Sequence, residues 1–213
     1  MNRQSLEEQE LKLELRLAQL ERNEACQNNF LQFVRRLWPE FITGRHHEII
    51  AEKLERVAKG ELKRLIINMA PRHTKSEFAS FLFPAWMMGR KPNMKIIQAT
   101  HTTELAVNFG RKTKNMIDSD EYKEIFPEVK LAADSKASGR WDTSAGGMYY
   151  AVGVGSNLAG RGGDLVIIDD PHSEQTAMSN NGFDDAWEWY TGGPRQRLQP
   201  GGSIVLVQTR WSE

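Results

Sequence analysis

The sequence contains a single cysteine, Cys26, among its 213 residues. One cysteine cannot form an intrachain disulfide and argues against a cysteine-rich zinc site, so it favours a reducing compartment. No apolar run approaches the roughly 20 residues that span a bilayer. The N-terminal stretch MNRQSLEEQE also lacks the apolar core of a signal peptide. We therefore expect a cytosolic protein that does not enter a membrane.

The sequence also lacks an excess of charge of either sign. Its 28 Lys and Arg residues balance 28 Asp and Glu residues, so the whole molecule should not be drawn to nucleic acid or to an anionic membrane. Any contact with DNA must then come from local basic clusters, which occur at residues 63–64, 90–91 and 111–114. With 39% hydrophobic and 26% charged residues, the chain is long enough to bury one globular core.

Three helical segments are predicted in the first 60 residues. A segment from residue 5 to about residue 22 places leucines on one helical face, namely Leu6, Leu13, Leu17 and Leu20. This pattern is typical of an amphipathic helix that docks on the body of the protein or on another subunit. The next two segments, NNFLQFVRRLW and HHEIIAEKLERVAKG, stop at Pro39, which cannot continue a helix, and at Gly60, a natural cap. We assign residues 1–44 to an N-terminal helical extension and residues 45–213 to the main domain.

Apolar strands alternate with helical segments in the remainder of the chain. The helical segments are KSEFASFLFPAWMMG, TTELAVNFGRKTKNMI and FDDAWEWYTGG. The strands are RLIINM, MKIIQAT, DLVIIDD and SIVLVQT, with the glycine-punctuated GGMYYAVGVG between the second and the third. Continuous apolar runs such as LVII are buried on both faces of a parallel sheet. The alternation with short connections therefore predicts an α/β fold, with a mostly parallel central sheet flanked by helices.

The stretch NMAPRHTKS follows the first of these strands. In the phosphate-binding loop G-x-x-x-x-G-K-[ST], Met69 takes the place of the first glycine and Thr74 the place of the second. A strand, a tight loop and a helix direct backbone N–H groups at an anion. Lys75 would then reach the β- and γ-phosphates of a nucleotide, and the Ser76 hydroxyl would bind Mg²⁺. The alternative is a polar helix cap, in which Thr74 caps the helix and Lys75 is solvated.

A second polar element follows the apolar run LVII, which ends in Asp169 and Asp170. A P-loop ATPase needs an acid at such a strand end to hold Mg²⁺ and a nearby carboxylate to polarise the attacking water. We predict Asp169 as the metal ligand and Asp170 as the base, with Glu174 as the alternative base because Asp170 has a short side chain. The competing interpretation is a simple turn before Pro171. Arg72, inside the loop, is either solvated or aimed at the γ-phosphate.

These segments, in this order, resemble the ATPase motor of a tailed-bacteriophage terminase large subunit, which pumps DNA into a procapsid. The segments are NMAPRHTKS, GVGSNLAGRGGDLVIIDDPH and VLVQTRW, and the resemblance runs from about Arg45 to Trp211. It implies a P-loop NTPase fold of the ASCE type that binds ATP and Mg²⁺. Loops of the form Pro-Arg-x-x-Lys-Ser are familiar in that family, whereas Thr74 departs from the usual second glycine.

The resemblance also assigns roles to individual residues. It implies that the nucleotide is held by the loop residues Pro71, Arg72, His73, Thr74, Lys75 and Ser76. Arg161, in AGRGGD, matches an arginine finger offered to the nucleotide of a neighbouring subunit; its plain alternative is a turn arginine. Gln208, Thr209 and Arg210 match a motif that senses the γ-phosphate and couples hydrolysis to movement, with an ordinary strand end as the alternative. His47 resembles a residue near the adenine pocket, but a histidine that is exposed or hydrogen-bonded within the fold is the favoured alternative.

The function implied by the resemblance is that of an ATP-hydrolysing motor that translocates double-stranded DNA. The implied partners are double-stranded DNA, the portal protein and the small terminase subunit. The chain would assemble as a homo-oligomeric ring on the portal, or stay a monomer in isolation, in the cytoplasm of the infected bacterial host. A full terminase large subunit also carries an RNase H-like nuclease domain, and we expect no nuclease activity from these 213 residues.

Two other functions fit parts of the same pattern. The first is a helicase-like, nucleic-acid-dependent ATPase, which strand unwinding would distinguish from a packaging motor. The second is an inactive P-loop module that serves in assembly or as a scaffold. That module would not be stabilised by nucleotide, and its functional surface would be the leucine face of the first helix.

Overall fold

The computed structural model describes residues 3–135, 137–158, 160–179 and 181–209, with side chains from residue 6 onward. A six-stranded sheet forms its centre. The strands are β1 (Arg64–Asn68), β2 (Lys95–Thr100), β3 (Arg140–Asp142), β4 (Met148–Gly153), β5 (Gly163–Asp169) and β6 (Leu198–Gln208). Their order is β1–β6–β5–β2–β4–β3, and every neighbouring pair is parallel except β3–β4. The predicted α/β fold with a mostly parallel sheet is confirmed.

Helices lie on both faces of the sheet. They are α1 (Arg3–Asn28), α2 (Phe30–Leu37), α3 (Arg45–Ala58), α4 (Phe83–Arg90), α5 (Thr103–Asp118), α6 (Asp120–Ile125), α7 (Glu174–Ala177) and α8 (Gly182–Gly192). A π-helical segment, Glu77–Leu82, leads directly into α4, and a 3₁₀ turn, Pro194–Arg197, leads into β6. The helical segments predicted from the sequence lie on α1 to α5 and on α8. The helix predicted over residues 75–89 covers both the π-helical segment and most of α4. The π geometry of its first part was not predicted, nor were α6 and α7.

The sheet carries a core on each face, because alternate residues of a strand point to opposite faces. In β5, Leu165 and Ile167 point into the larger core beneath α2 to α6. Val166 and Ile168 point into the smaller core on the side of α8. Burial on both faces is why the sequence of β5 is a continuous apolar run rather than an alternating one.

Helix α2 belongs to the larger core. Phe30 and Phe33 are fully buried there, and the Phe30 ring lies 5.6 Å from that of Phe78 and 5.4 Å from that of Trp86, between ring centroids. Although α2 falls within the predicted extension of residues 1–44, its aromatic side chains thus pack against the segment that follows the loop after β1. The boundary after residue 44 stays a prediction.

Helix α1 is attached to the body mainly through its C-terminal end. Asn23 Nδ2 donates to the backbone carbonyl of Glu124 at 2.8 Å, and Gln27 Nε2 donates to that of Ile125 at 2.6 Å. The leucines of the preceding turns are exposed, and Leu13 retains 71% of its accessible surface. Across the part of the chain that the structure describes, no helix combines the length and the apolar character needed to cross a bilayer.

Candidate functional site

The carboxyl ends of β1 and β5 bring the two predicted halves of the site together. Strand β6 lies between them, so the loop after β1 and the acidic end of β5 open on the same edge of the sheet. Lys75 Nζ lies 3.3 Å from Asp170 Oδ2. Ser76 Oγ donates a hydrogen bond to Asp169 Oδ1 at 3.1 Å, across 93 residues of sequence. The four side chains that the sequence singled out for phosphate, metal and water are therefore neighbours.

Asp169 is the deeply buried carboxylate of this group. Its residue is 2% exposed, and its second oxygen, Oδ2, accepts a hydrogen bond from Ser80 Oγ at 2.7 Å. Burial raises the pKa of Asp169 to about 6, against the opposing hydrogen bond from Ser80. Ser80 stands in the π-helical segment, a geometry that recurs at functional sites. Sequence reasoning missed it because nothing in EFASFL distinguishes this serine from a solvated one.

Three groups of Asp170, namely its Oδ1, its N–H and its carbonyl, are hydrogen-bonded to backbone groups of other residues. Its Oδ1 accepts a hydrogen bond from the Thr209 N–H at 2.6 Å, and its own N–H donates to the carbonyl of Val207 at 2.8 Å. The carbonyl of Asp170 accepts from the His101 N–H at 3.2 Å. Asp170 also has a φ of 41°, a left-handed conformation that side-chain-bearing residues rarely adopt. Such strained residues cluster at functional sites, where the surrounding structure holds them in place.

The loop between β1 and the π-helical segment contains two more residues of this kind. Arg72 has a φ of 62° and Thr74 a φ of 58°. The second glycine of the usual loop, whose place Thr74 takes, can adopt this region at no steric cost. A β-branched residue there costs about 1–3 kcal/mol unless its surroundings hold it. The Thr74 hydroxyl lies 2.6 Å from His47 Nε2, and the Thr74 carbonyl accepts from the Phe78 N–H at 3.0 Å to start the helix.

The remaining loop side chains differ in exposure. Lys75 is 6% exposed and points inward to Asp170. Pro71, Arg72 and His73 are exposed at the tip of the loop, and His73 Nδ1 donates to the Pro71 carbonyl at 2.8 Å. Arg72 is thus a surface cation on the loop, and its role at the γ-phosphate stays a prediction.

Two of the predicted coupling residues reach the site, and the third lies outside the described residues. The carbonyl of Gln208 accepts from the Met69 N–H at the start of the loop, at 3.2 Å. Thr209 is 8% exposed and binds the Asp170 carboxylate through its backbone, as described above. The end of β6 therefore contacts both the loop and the acidic strand end. Arg210 is outside the part of the chain that the structure describes.

Glu174 and Arg161 lie apart from this cluster. Glu174 is the first residue of α7 and is exposed. The guanidinium carbon of Arg161 lies 3.7 Å from the centroid of the Tyr150 ring. Tyr150 belongs to β4, and β2 separates that strand from β5. The structure therefore brings Asp170, rather than Glu174, into contact with Lys75, and it places Arg161 on the smaller core of its own chain.

The donor atoms at this edge of the sheet suit Mg²⁺. Mg²⁺ is usually bound by one or two carboxylates together with substrate phosphates and water, all through oxygen. Ser76 Oγ and the Asp169 carboxylate would supply two adjacent oxygen ligands at the mouth of the loop after β1. Among the residues that the structure describes, no group of three or more His, Cys, Asp or Glu is arranged to hold a metal.

The arrangement is that of a P-loop fold: a strand, a loop ending in Lys-Ser and a helix, with a parallel strand two positions away in the sheet that ends in carboxylates. The crystal structure of the HK97 bacteriophage large terminase has this fold. It superposes with a TM-score of 0.55 at 12% sequence identity, over 85% of this chain and 37% of that one. The chain therefore spans little more than a third of the length of that terminase. The likeness establishes that this chain shares its fold with part of that terminase.

Two structures of the large terminase from a thermophilic bacteriophage give weaker superpositions. The complex with ATP-gamma-S has a TM-score of 0.45 at 13% identity, over 74% of this chain and 37% of that one. The complex with ADP has a TM-score of 0.44 at 13% identity, over 74% and 38%. No protein-family model matches the sequence, and no curated protein matches it.

Proposed function

We propose that this chain is an ATP-hydrolysing motor domain of the terminase large-subunit type. The observation that carries the proposal is the double contact at the sheet edge, Lys75 to Asp170 and Ser76 to Asp169. It brings together the lysine proposed for phosphate, the two side chains proposed for Mg²⁺ and the carboxylate proposed for water. The HK97 likeness supports the fold of such a domain, and the residue roles rest on the geometry of this chain.

In the proposed reaction, the triphosphate enters the loop and competes with Asp170 for the ammonium group of Lys75. Lys75 then holds the β- and γ-phosphates, while Asp170 Oδ1 stays fixed by the Thr209 N–H. Asp170 Oδ2, released from Lys75, accepts a hydrogen bond from the attacking water. Mg²⁺ held by Ser76 and Asp169 would neutralise charge on the phosphate oxygens.

Two arginines are proposed to stabilise the charge that develops on the γ-phosphate. Arg72, exposed on the loop, would act within its own chain. Arg161 would act on the nucleotide of a neighbouring subunit, for which its guanidinium must leave the Tyr150 ring. In other P-loop enzymes, an arginine supplied by a partner increases the turnover rate by a large factor.

We further propose the setting in which such a motor works. Its substrate track would be double-stranded DNA, held through the phosphate backbone because a packaging motor must move along any sequence. Its partners would be the portal protein, the small terminase subunit and further copies of itself in a ring. The place of action would be the cytoplasm of an infected bacterium, at the portal vertex of the procapsid.

The experiment that tests the nucleotide site is thermal unfolding with and without Mg-ATP. At one hundred times the dissociation constant, ATP should stabilise the fold by about 2.7 kcal/mol, which is a rise in Tm of a few degrees for a domain of this size. Lys75→Ala should abolish that rise, and Lys59→Ala, which removes an exposed lysine from the end of α3, should retain it. DNA-stimulated hydrolysis without strand unwinding would then favour a packaging motor over a helicase. An unchanged Tm in the wild type would favour the inactive scaffold module.

A further inference from the structure

Thr74 is placed in a conformation that its residue type resists. It carries a positive φ at the position where the phosphate-binding loop usually has glycine. The residue is followed at once by Lys75 and Ser76, so its backbone angles set the direction of both side chains. If Thr74 relaxed to a negative φ, the Lys75 ammonium and the Ser76 hydroxyl would turn away from Asp170 and Asp169. Something in the structure must therefore hold Thr74.

The hydrogen bonds around His47 identify what holds it. Gly44 N–H donates to His47 Nδ1 at 2.9 Å, so Nδ1 carries no proton and the neutral ring bears its proton on Nε2. That Nε2–H points at Thr74 Oγ1 at 2.6 Å. The Thr74 hydroxyl uses its own proton to donate to the His73 carbonyl at 2.7 Å. Each donor in this series has one acceptor, and the series runs from the turn before α3 into the loop.

The surroundings of His47 keep its ring neutral and fixed. The residue is 6% exposed, and its ring stacks on Phe78 with centroids 5.0 Å apart and an interplanar angle of 28°. Phe41 packs edge-on against the same ring at 4.7 Å. Burial, together with the neighbouring His46 and His73, lowers the pKa of His47 to about 4. Because Phe78 is in the π-helical segment that follows the loop, His47 contacts both the loop, at Thr74, and the start of that segment, at Phe78.

We infer that His47 is a positioning residue for the phosphate-binding loop, which holds Thr74 in the left-handed conformation that glycine would adopt unaided. The inference rests on the proposed function, since it assigns the loop a nucleotide to bind. In physical terms, the hydrogen bond from His47 offsets the steric cost of a β-branched residue at this φ. Lys75 and Ser76 then keep the direction that a glycine-containing loop would give them.

A double-mutant cycle between His47 and Thr74 tests the inference. His47→Phe keeps a packed ring but removes the donor, and it should weaken Mg-ATP binding by about tenfold or more. Thr74→Gly should bind at least as tightly as the wild type, because glycine needs no support at this angle. In the Thr74→Gly background, His47→Phe should change the affinity by less than about threefold. His47→Gln, whose amide N–H can reach Thr74 Oγ1, should recover most of the affinity lost in His47→Phe.

The four proteins of the cycle, which are the wild type, the two single variants His47→Phe and Thr74→Gly, and the double variant, also separate this inference from the proposed function. Equal losses of affinity from His47→Phe in both backgrounds would show that His47 acts through packing or on the ligand itself, which would overturn the inference. If neither the wild type nor Thr74→Gly binds Mg-ATP, the proposed function fails instead. The cycle is then measured as Tm without nucleotide, where His47→Phe should lower Tm more in the threonine background than in the glycine background. Equal decreases in Tm would overturn the inference independently of any ligand.

Discussion

Lys75 Nζ lies 3.3 Å from Asp170 Oδ2, which pairs the cation proposed for phosphate with the carboxylate proposed for water. Lys75 is almost completely buried, so its charge needs a partner of opposite sign within the site. A polyphosphate offers more negative charge than one carboxylate. Because the polyphosphate and Asp170 compete for the same ammonium group, binding of the substrate should release the proposed base.

Replacing Asp170 with asparagine should separate nucleotide binding from turnover. The amide cannot accept a proton from water, so turnover should fall by at least about 100-fold. Binding of Mg-ATP should persist, because Lys75 loses its competitor. Affinity and turnover are measured on the same preparation. Glu174→Gln, which alters an exposed carboxylate at the start of α7, serves as the control and should turn over normally; the reverse pattern would make Glu174 the base.

Removing the Ser80 hydroxyl should destabilise the fold. Ser80→Ala leaves Asp169 Oδ2 buried without its donor, which should lower the free energy of unfolding by about 1–3 kcal/mol. Denaturant titration measures the loss. Ser179→Ala removes an exposed hydroxyl that bonds to the Thr176 carbonyl, and it should change stability by less than about 0.5 kcal/mol. Similar stabilities for the two variants would mean that Ser80 does not support Asp169.

The protonation of His47 should make stability fall in acid. Its pKa is lowered from 6.5 to about 4 in the fold, so the unfolded chain binds the proton more tightly and the free energy of unfolding decreases as pH falls from above 6.5 towards 4. Between pH 7 and pH 5 the wild type should lose about 2 kcal/mol relative to His47→Gln. The facing rings of His46 and His73 are present in both proteins. Parallel pH profiles would contradict a neutral, buried His47.

Truncating Phe33 should show that α2 belongs to the folded body. The side chain is fully buried in the larger core, and Phe33→Ala should cost about 3–5 kcal/mol of unfolding free energy. Leu13→Ala, on the exposed part of α1, should be nearly neutral. Chemical denaturation measures both. A small effect at Phe33 would instead support an independent extension of residues 1–44.

Most of the sheet could be predicted from the sequence, because burial on both faces imposes a strong apolar signal on runs such as that of β5. The three-residue strand β3 was missed, since a strand of that length has too few residues for a pattern. Residues Glu77–Leu82 were predicted as helix, but their π geometry was missed because their apolar residues also fit an α-helical period. These are differences in backbone geometry that local composition does not encode.

The parts of the candidate site that lie next to each other along the chain were also predictable. Lys75 with Ser76, and Asp169 with Asp170, were chosen as local motifs after strands, and the fold brings the two pairs together. The contact of His47 with Thr74 was not predictable, because it spans 27 residues of sequence. It also depends on a backbone angle that threonine rarely adopts. The conformational preference of threonine disfavours a positive φ, and the hydrogen bond from His47 outweighs that preference.

The position of β6 limits how the proposed motor could move. The strand is bonded along both edges, to β1 and to β5, and sliding it by one residue would break both ladders and reverse its side chains. The three strands therefore form one stiff unit. The loop after β1 and Asp170 are both hydrogen-bonded to its edge, through the carbonyls of Gln208 and Val207. A force generated at the phosphates would therefore tilt the three strands together or bend the segments that follow them. It would not shear one strand past another.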